Sequence, residues 1–435
     1  MLRNMDLRYH LITYGCQMNK ADSERLGGSL EALGYSWTEE PMQADLVVVN
    51  TCAVRQSAED RALGQLGWLT GMKKKNPDLS IAMMGCMVGD DSLERLQARL
   101  PQVDVFTKPV EYEPILEFAQ QKAGNRGMLD EGCLEGSPLA LGGPCRWVPV
   151  IYGCNMRCAF CIVPIRRGPE RSRPIPEVVR ELRWLVRHGT REVTLLGQTV
   201  DDYGRDLEGR PDLADLLTAC SEVPGLERIR FLTSHPLFMS DRIIEAVGSL
   251  PNVCEHFNIA VQSGDDLVLR RMKRGYPASR YVDLVSRIRE IIPQASIATD
   301  IIVGFPGETE QQFENTLAML EQLELDVVHT AMYSPRPGTK AGEEMADDVP
   351  RDEKHRRLLA VEALQERVVA AKNSRLRGST LDVLVEGQKN GKWWGRIRTD
   401  RVTFFTDPRE NLVGEILPVR IDETTAYSLR GTAVA

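Results

Sequence analysis

Three cysteines crowd into one short run, Cys154-Asn-Met-Arg-Cys158-Ala-Phe-Cys161. Thiolates at C-x3-C-x2-C spacing can hold one soft metal centre, and the number of ligands decides which. A 4Fe-4S cubane has four irons to ligate, so three thiolates would leave one iron open to something outside the protein. Zinc competes for the same thiols. A structural zinc site takes four protein ligands, however, and neither a neighbouring His nor a fourth Cys stands at ligand spacing. Three unconnected buried cysteines are the bland alternative. The spacing, directly behind an expected strand, favours the open cluster.

A second set, Cys16, Cys52 and Cys86, is scattered, and no spacing rule links its members. Position does, because each directly follows an expected strand and strand ends of a parallel sheet gather along one edge. From the residues alone, a joint metal site and three ordinary buried cysteines weigh about evenly. Cys133, Cys145, Cys220 and Cys254 match no motif and read as packing or linker positions.

The elements that must place these residues are visible in the hydrophobic pattern. Strands are expected at 10–14, 46–50 and 81–84, with helices over 21–33 and 57–75, an alternation typical of a parallel sheet. Residues 121–144, Gly-rich and without periodicity, read as a linker. Strands at 148–152, 192–196, 228–232, 257–261, 296–303 and 326–332 alternate with helices, which suggests an incomplete six-unit barrel with its chemistry at the carboxyl ends of the strands. A helix over 351–376 is expected to lead away from it. The last stretch breaks into short β-rich runs at 381–385, 393–397, 402–405 and 417–421, the pattern of a small β-barrel.

The fold class is therefore α/β: a parallel-sheet domain over 1–120, the linker, a partial (βα)6 barrel over 145–372 and a small β-barrel over 373–435. With 435 residues and 42% hydrophobic content, each unit can bury its own core. The net charge of -8 removes any case for nucleic-acid binding from bulk charge and leaves room for a local basic face. No run approaches a membrane span, the polar start lacks the apolar core of a signal peptide, and the chain reads as cytoplasmic.

The C-x3-C-x2-C triplet is also the signature of the radical S-adenosylmethionine (SAM) superfamily. Further motifs, among them Tyr14-Gly-Cys-Gln-Met-Asn19, Asn50-Thr-Cys52, Met84-Gly-Cys86, Arg167-Gly-Pro-Glu-Arg-Ser-Arg173, Leu196-Gly-Gln198, Gln262-Ser-Gly264 and Gly304-Phe-Pro-Gly-Glu308, resemble in order the methylthiotransferases, and most closely their MiaB-type tRNA branch. The resemblance spans nearly the whole chain and implies a radical SAM barrel followed by an OB-like TRAM domain. It implies two 4Fe-4S clusters, one on Cys154, Cys158 and Cys161 with SAM on its open iron, and an auxiliary one on Cys16, Cys52 and Cys86 whose open iron carries sulfur.

A radical SAM site must grip its cofactor so that the sulfonium faces the cluster. Gln198, Gln262 and Ser263 are polar groups at strand ends, Gly304 with Phe305 offers backbone that can approach closely, and Arg173 could neutralise a carboxylate; Asp300 and Tyr333 resemble pocket positions of the family. Thr199 and Lys273 stand where many relatives carry Asn, so no role is transferred to them. In the terminal domain Lys389, Lys392, Arg396, Arg398 and Arg401 interleave with Trp393, Trp394, Phe404 and Phe405, a mixture suited to phosphate contact and base stacking. Strand alternation must turn about half of them inward.

The implied activity is transfer of a methylthio group to carbon 2 of N(6)-isopentenyl (dimethylallyl) adenosine beside the anticodon of tRNA. The implied partners are the anticodon stem-loop, a reductant such as flavodoxin or ferredoxin, and a sulfur donor, with the chain acting as a monomer. Rival activities are methylthio transfer to threonylcarbamoyladenosine or to a ribosomal protein aspartate, and a more remote one is a non-catalytic RNA-binding metal protein.

Overall fold

The computed structural model describes residues 7–54, 56–124 and 142–434; Cys133 and most of the expected linker lie outside them. By its contacts the chain divides into two compact units. One takes the amino-terminal part through Gly142 with Tyr152–Asn155 and Ile162–Glu170; the other takes Gly143–Ile151, Met156–Cys161 and everything from Arg171 onward.

The first unit is a five-stranded, all-parallel sheet of β1 (Arg8–Thr13), β2 (Ser36–Trp37), β3 (Leu46–Thr51), β4 (Ser80–Gly85) and β5 (Val105–Thr107), ordered β2-β1-β3-β4-β5. Every residue of β3 and β4 is buried, because helices cover both faces of a parallel sheet. The two-residue alternation of a strand sorts their side chains into two apolar layers. Val47, Val49, Ile81 and Met83 pack with Leu66 and Leu69 of helix Gln56–Lys73. Leu46, Val48, Ala82 and Met84 pack with Leu26 and Leu30 of helix Gln17–Ala32. The sequence leaves out β2 and β5, which are too short to carry a periodicity.

In the second unit β6 (Cys145–Pro149) begins earlier and ends sooner than its hydrophobic run suggests. Two short strands, β7 (Ile151–Tyr152) and β8 (Arg171–Ser172), flank the loop of the cysteine triplet. β9 (Glu192–Leu196) and β10 (Arg228–Leu232) join β6 in one parallel sheet, and β11 (His256–Asn258), β12 (Ser296–Val303) and β13 (Val327–Met332) form another. Parallel bridges from Ile229 to Val253 and from Ser234 to Ile259 connect the two into a partial six-stranded barrel. Helix Arg351–Ser374 does not lead away. It lies along the barrel, with Val361 in the core, Arg357 paired to Glu308 at 2.8 Å and the Gln365 carboxamide donating to the Leu325 carbonyl.

The terminal strands β14 (Thr380–Lys389), β15 (Lys392–Arg396), β16 (Val402–Thr406), β17 (Ile416–Thr424) and β18 (Leu429–Ala433) close into a barrel in the order β14-β15-β16-β18-β17. Asn390 and Gly391, both at positive φ, make the two-residue turn between β14 and β15. The closing strand β18 escaped the sequence reading because Leu-Arg-Gly-Thr-Ala lacks the aromatic density of its neighbours.

This small barrel is welded to the amino ends of the large one, and both belong to a single unit. Arg228 donates to the carbonyls of Arg396 and Asp382; Arg230, fully buried, pairs with Glu192 at 2.9 Å and donates to the carbonyls of Ile397 and Arg398. Arg396 answers with Glu192, Glu386 and Asp400. Burial raises the Glu192 carboxyl, yet Arg230, Arg396 and Arg228 outweigh burial and hold it below its ordinary range. Burial likewise keeps the His256 imidazole below its usual value, hence neutral at pH 7.

The two shifts share a sign. A carboxyl lowered on folding stabilises above its unfolded pKa of about 4.3 and loses that contribution as pH falls through the folded value; an imidazole lowered on folding costs stability at every step below about 6.5. The urea midpoint of the metal-free protein should therefore fall from about pH 6.5 towards pH 4. Glu192→Ala should destabilise by about 3–5 kcal/mol at pH 7, since it leaves buried guanidinium groups uncompensated. An unchanged midpoint would show that the weld carries no stability.

Candidate functional site

The first unit gathers one thiol trio through its sheet order. β1, β3 and β4 are neighbours, and Cys16, Cys52 and Cys86 follow their carboxyl ends. The ladder continues past the strands, with Tyr14 N–H donating to the Asn50 carbonyl and Cys86 N–H to the Thr51 carbonyl, both at 2.9 Å. Gly15 and Gly85 turn the chain at positive φ. A Cβ on Gly15 would stand 2.7 Å from the Cys52 Cβ, and one on Gly85 would collide with Asn50 Oδ1 and the Thr51 carbonyl. Both positions need glycine because the loops touch there.

Two asparagines of the motifs lock those loops. Asn19 Nδ2 donates to the carbonyls of Tyr14 and Thr51 and to Asn50 Oδ1, and Asn50 Nδ2 donates back to the Asn19 carbonyl at 2.7 Å. Arg167, which ends the helix Val163–Arg167, reaches Asn19 Oδ1 at 3.0 Å and Asp22 Oδ2 at 2.8 Å, and Tyr112 O–H donates to the other Asp22 oxygen. Its Nη1 is buried without a hydrogen-bond partner. Burial pushes the Cys86 thiol up to about 11; Arg167 pulls it down, while Cys16 and Cys52 raise it further. The three thiols and the guanidinium thus lie near enough to act on one another's charge.

The triplet 154–161 falls across the two units. In the first, Gly153 turns at positive φ, Cys154 N–H donates to the Gly168 carbonyl at 3.1 Å, Asn155 donates from its backbone N–H and Nδ2 to the Glu170 carboxylate, and the Glu170 backbone N–H donates to Asn155 Oδ1. In the second, Ala159 N–H donates to the Met272 carbonyl and Ala341 N–H to the Ala159 carbonyl, while the Phe160 ring meets Phe305 edge-on. Arg274 donates from Nη1 to Cys158 Sγ at 3.2 Å, from Nε to the Tyr276 hydroxyl and from Nη2 to the Ala260 carbonyl. The flanking Lys273 and Gly275 both sit at positive φ; Lys273 thus occupies a left-handed position that Asn adopts more easily.

The donor sets fit the expected clusters. Among the described residues no three His, Cys, Asp or Glu side chains close on a single ion. A cubane asks for something else, three thiolates on three separate irons.

The expected SAM contacts divide. Gln198, Gln262 and Asp300 stand at or near strand carboxyl ends, Gln262 at φ 77° with its N–H donating to the Asp300 carbonyl. The others make contacts within the scaffold. Arg173 is buried and taken by Glu177, Glu181 and the Pro149 carbonyl. The Ser263 hydroxyl lies at 3.3 Å from that of Thr316 on an outer helix. Gly304 makes room for the Lys354 side chain, and Phe305 and Tyr333 pack under Phe160 of the cluster loop.

The expected RNA contacts divide in the same way. Trp393 and Phe405 point into the small barrel, so Trp394 and Phe404, paired across β15 and β16, are the outward aromatics. Arg396, Arg398 and Arg401 are held by Glu192, Glu255 and Asp326 at the base of the large barrel. Lys389 and Lys392, at either side of the Asn390-Gly391 turn, remain exposed. Sequence reasoning missed Arg274 altogether and gave Asn19 and Asn50 no role; the motifs contain both asparagines, but nothing in the pattern announces which side chains fold back to hold a loop.

Residues 8–108 match the family described as Uncharacterized protein family UPF0004, residues 148–320 the Radical SAM superfamily and residues 374–434 the TRAM domain. The chain is 46% identical to a tRNA-2-methylthio-N(6)-dimethylallyladenosine synthase of Roseiflexus sp. (strain RS-1), over 98% of this chain and 89% of the relative. A synthase of the same description from Herpetosiphon aurantiacus is 44% identical over 98% and 97% of the two chains. Among solved structures, the radical S-adenosylmethionine methyltransferase TsrM of Kitasatospora setae superposes with a TM-score of 0.57 at 14% identity, covering 78% of each chain, a likeness of fold.

The close approach at Gly85 yields a direct test. Gly85→Ala should displace the Asn50 and Thr51 loop and reduce the iron retained at the first trio to less than half, read as iron per chain in a variant lacking Cys154, Cys158 and Cys161. Full retention would mean that the loops do not set the site.

Proposed function

The chain belongs to the tRNA-2-methylthio-N(6)-dimethylallyladenosine synthase family, and on that footing we propose that it adds a methylthio group to carbon 2 of N(6)-isopentenyl adenosine beside the anticodon of tRNA. The observation that carries this reading is the second thiol trio. Cleavage of SAM needs one cluster, so a chain that invests three neighbouring strand ends in Cys16, Cys52 and Cys86 has a second task, and sulfur delivery is the task its relatives are named for.

The reaction turns an unactivated aromatic carbon–hydrogen bond into a carbon–sulfur bond, which acid–base groups cannot do. When bound, the cluster held by Cys154, Cys158 and Cys161 would supply the electron for reductive cleavage of one SAM, and the one held by Cys16, Cys52 and Cys86 would supply the sulfur, which takes its methyl group from a second SAM. The protein's own work is holding and orienting. The Met272 and Ala341 hydrogen bonds and the Phe305 ring fix the loop carrying Cys158 and Cys161. Gln198, Gln262 and Asp300 are the polar groups we assign to SAM. The adenine must leave its stack to reach the barrel. The exposed Lys389 and Lys392 with the half-buried Trp394 and Phe404 form the combination suited to the anticodon stem-loop.

No helix among the described residues is long and apolar enough to cross a membrane. We place the enzyme in the cytoplasm as a monomer, drawing electrons from a flavodoxin or ferredoxin and sulfur from a separate donor.

Mass spectrometry of nucleosides after anaerobic incubation with SAM, reductant and tRNA carrying either isopentenyl or threonylcarbamoyl adenosine should find the methylthio group on the isopentenyl nucleoside. Product on the threonylcarbamoyl nucleoside alone would reverse the substrate assignment. Cys154→Ala should abolish both 5′-deoxyadenosine formation and transfer, whereas Cys16→Ala should abolish transfer only. Equal SAM cleavage by wild type and Cys154→Ala would contradict the division of labour.

A further inference from the structure

Each thiol trio has one buried arginine beside it, and the two arginines differ in what neutralises them. Arg167 forms an ion pair with Asp22 at 2.8 Å, with side chains 3% and 0% exposed, so its charge is cancelled within the site. Arg274 has no ion pair among the described residues. Its partners are a phenol hydroxyl, a backbone carbonyl and the Cys158 sulfur, and none of them is a carboxylate. Of the ionisable groups packed near it, the Asp201 carboxyl is kept well above its usual range by burial, and burial together with the charge of Arg274 pushes His235 down to about 3.

Taking the two trios as cluster ligands, as in the reading above, we infer that Arg274 is a positioning residue that lends one uncancelled positive charge and one hydrogen bond to the cluster of Cys154, Cys158 and Cys161, making that cluster easier to reduce, while Asp22 withholds the same help from the cluster of Cys16, Cys52 and Cys86. Both clusters have three thiolate ligands, so ligand type cannot tell them apart. What remains is net charge, hydrogen bonds to sulfur and exposure. Reduction adds one electron, supplied by an external one-electron donor, and a fixed cation at hydrogen-bond distance from a ligand sulfur stabilises the more negative product. Burial strengthens the effect, because little water is present to screen it.

The backbone is built for this placement. Lys273 and Gly275, both at positive φ, bracket Arg274 in a turn that aims its guanidinium back at the loop, and Met272 holds that loop through Ala159. Tyr276 and the Ala260 carbonyl fix the remaining nitrogens, so the fork cannot swing to solvent. At the other trio the corresponding fork is clamped by Asp22 and Asn19, and only the Nη1 group of Arg167 is left over.

The test is potentiometry of reconstituted full-length protein, followed by electron paramagnetic resonance, in two backgrounds. One lacks Cys16, Cys52 and Cys86; the other lacks Cys154, Cys158 and Cys161. Iron and sulfide counts come first: a background that binds no cubane refutes the reading of that trio as a cluster site, independently of any potential. In the first background Arg274→Gln should make the midpoint more negative by at least the ~59 mV that corresponds to a tenfold change in a one-electron equilibrium. Arg274→Lys, which keeps the charge, should recover more than half of that shift and guards against a simple loss of structure. In the second background Asp22→Asn should move the midpoint positive by a comparable amount, and Arg167→Gln added to it should cancel the move. A midpoint that stays put in Arg274→Gln, or an equal negative shift in Arg274→Lys, would overturn the inference.

Discussion

The carboxamide of Asn19 ties the chain leaving β1 to the end of β3. It bonds the carbonyls of Tyr14 and Thr51 and the side chain of Asn50, and Asn50 returns the bond to the Asn19 backbone. A cubane with only three protein ligands cannot organise its own pocket in the way a fully ligated metal does, so the thiols must be brought together beforehand. Parallel strands supply the convergence and these asparagines supply the closure. Gly15 and Gly85 are the cost of that closeness, since any side chain there would strike the neighbouring loop.

The second unit separates stability from chemistry along the barrel axis. Its amino ends carry the buried ion network that binds the small barrel through Arg228, Arg230, Arg396 and Glu192. Its carboxyl ends carry the strained residues: Gln262 at φ 77° and Thr233 at φ 71°, a β-branched residue where such a value is rare. Strain of this kind persists only where surrounding structure forces it, and it collects where a ligand must be met. Fixing one end firmly lets the other hold polar groups in positions that the local backbone alone would not choose.

Much of this was legible in the residues. The strand runs Leu46–Thr51 and Glu192–Leu196 were plain because parallel strands buried on both faces read as unbroken apolar stretches. The cysteines were legible through their place behind strands. What the sequence hid were side chains whose role depends on where they turn. Trp393 and Trp394 are adjacent and chemically alike, and only the phase of β15 decides that the first is core and the second faces outward. Arg396, Arg398 and Arg401 look like a phosphate-binding cluster until Glu192, Glu255 and Asp326, far away in the chain, are seen to claim them. Arg274 was invisible for the same reason, since its target precedes it by more than a hundred residues.

The central claim is that each trio holds a cubane by three thiolates and leaves one iron for a ligand from outside. Anomalous diffraction at the iron edge from anaerobic crystals of the loaded protein tests it most directly. The account predicts two compact iron clusters, one bonded to Cys16, Cys52 and Cys86 and one to Cys154, Cys158 and Cys161, each with a single iron lacking a protein ligand. A single tetrahedral metal ion at either trio, or a fourth side chain completing either cluster, would contradict it.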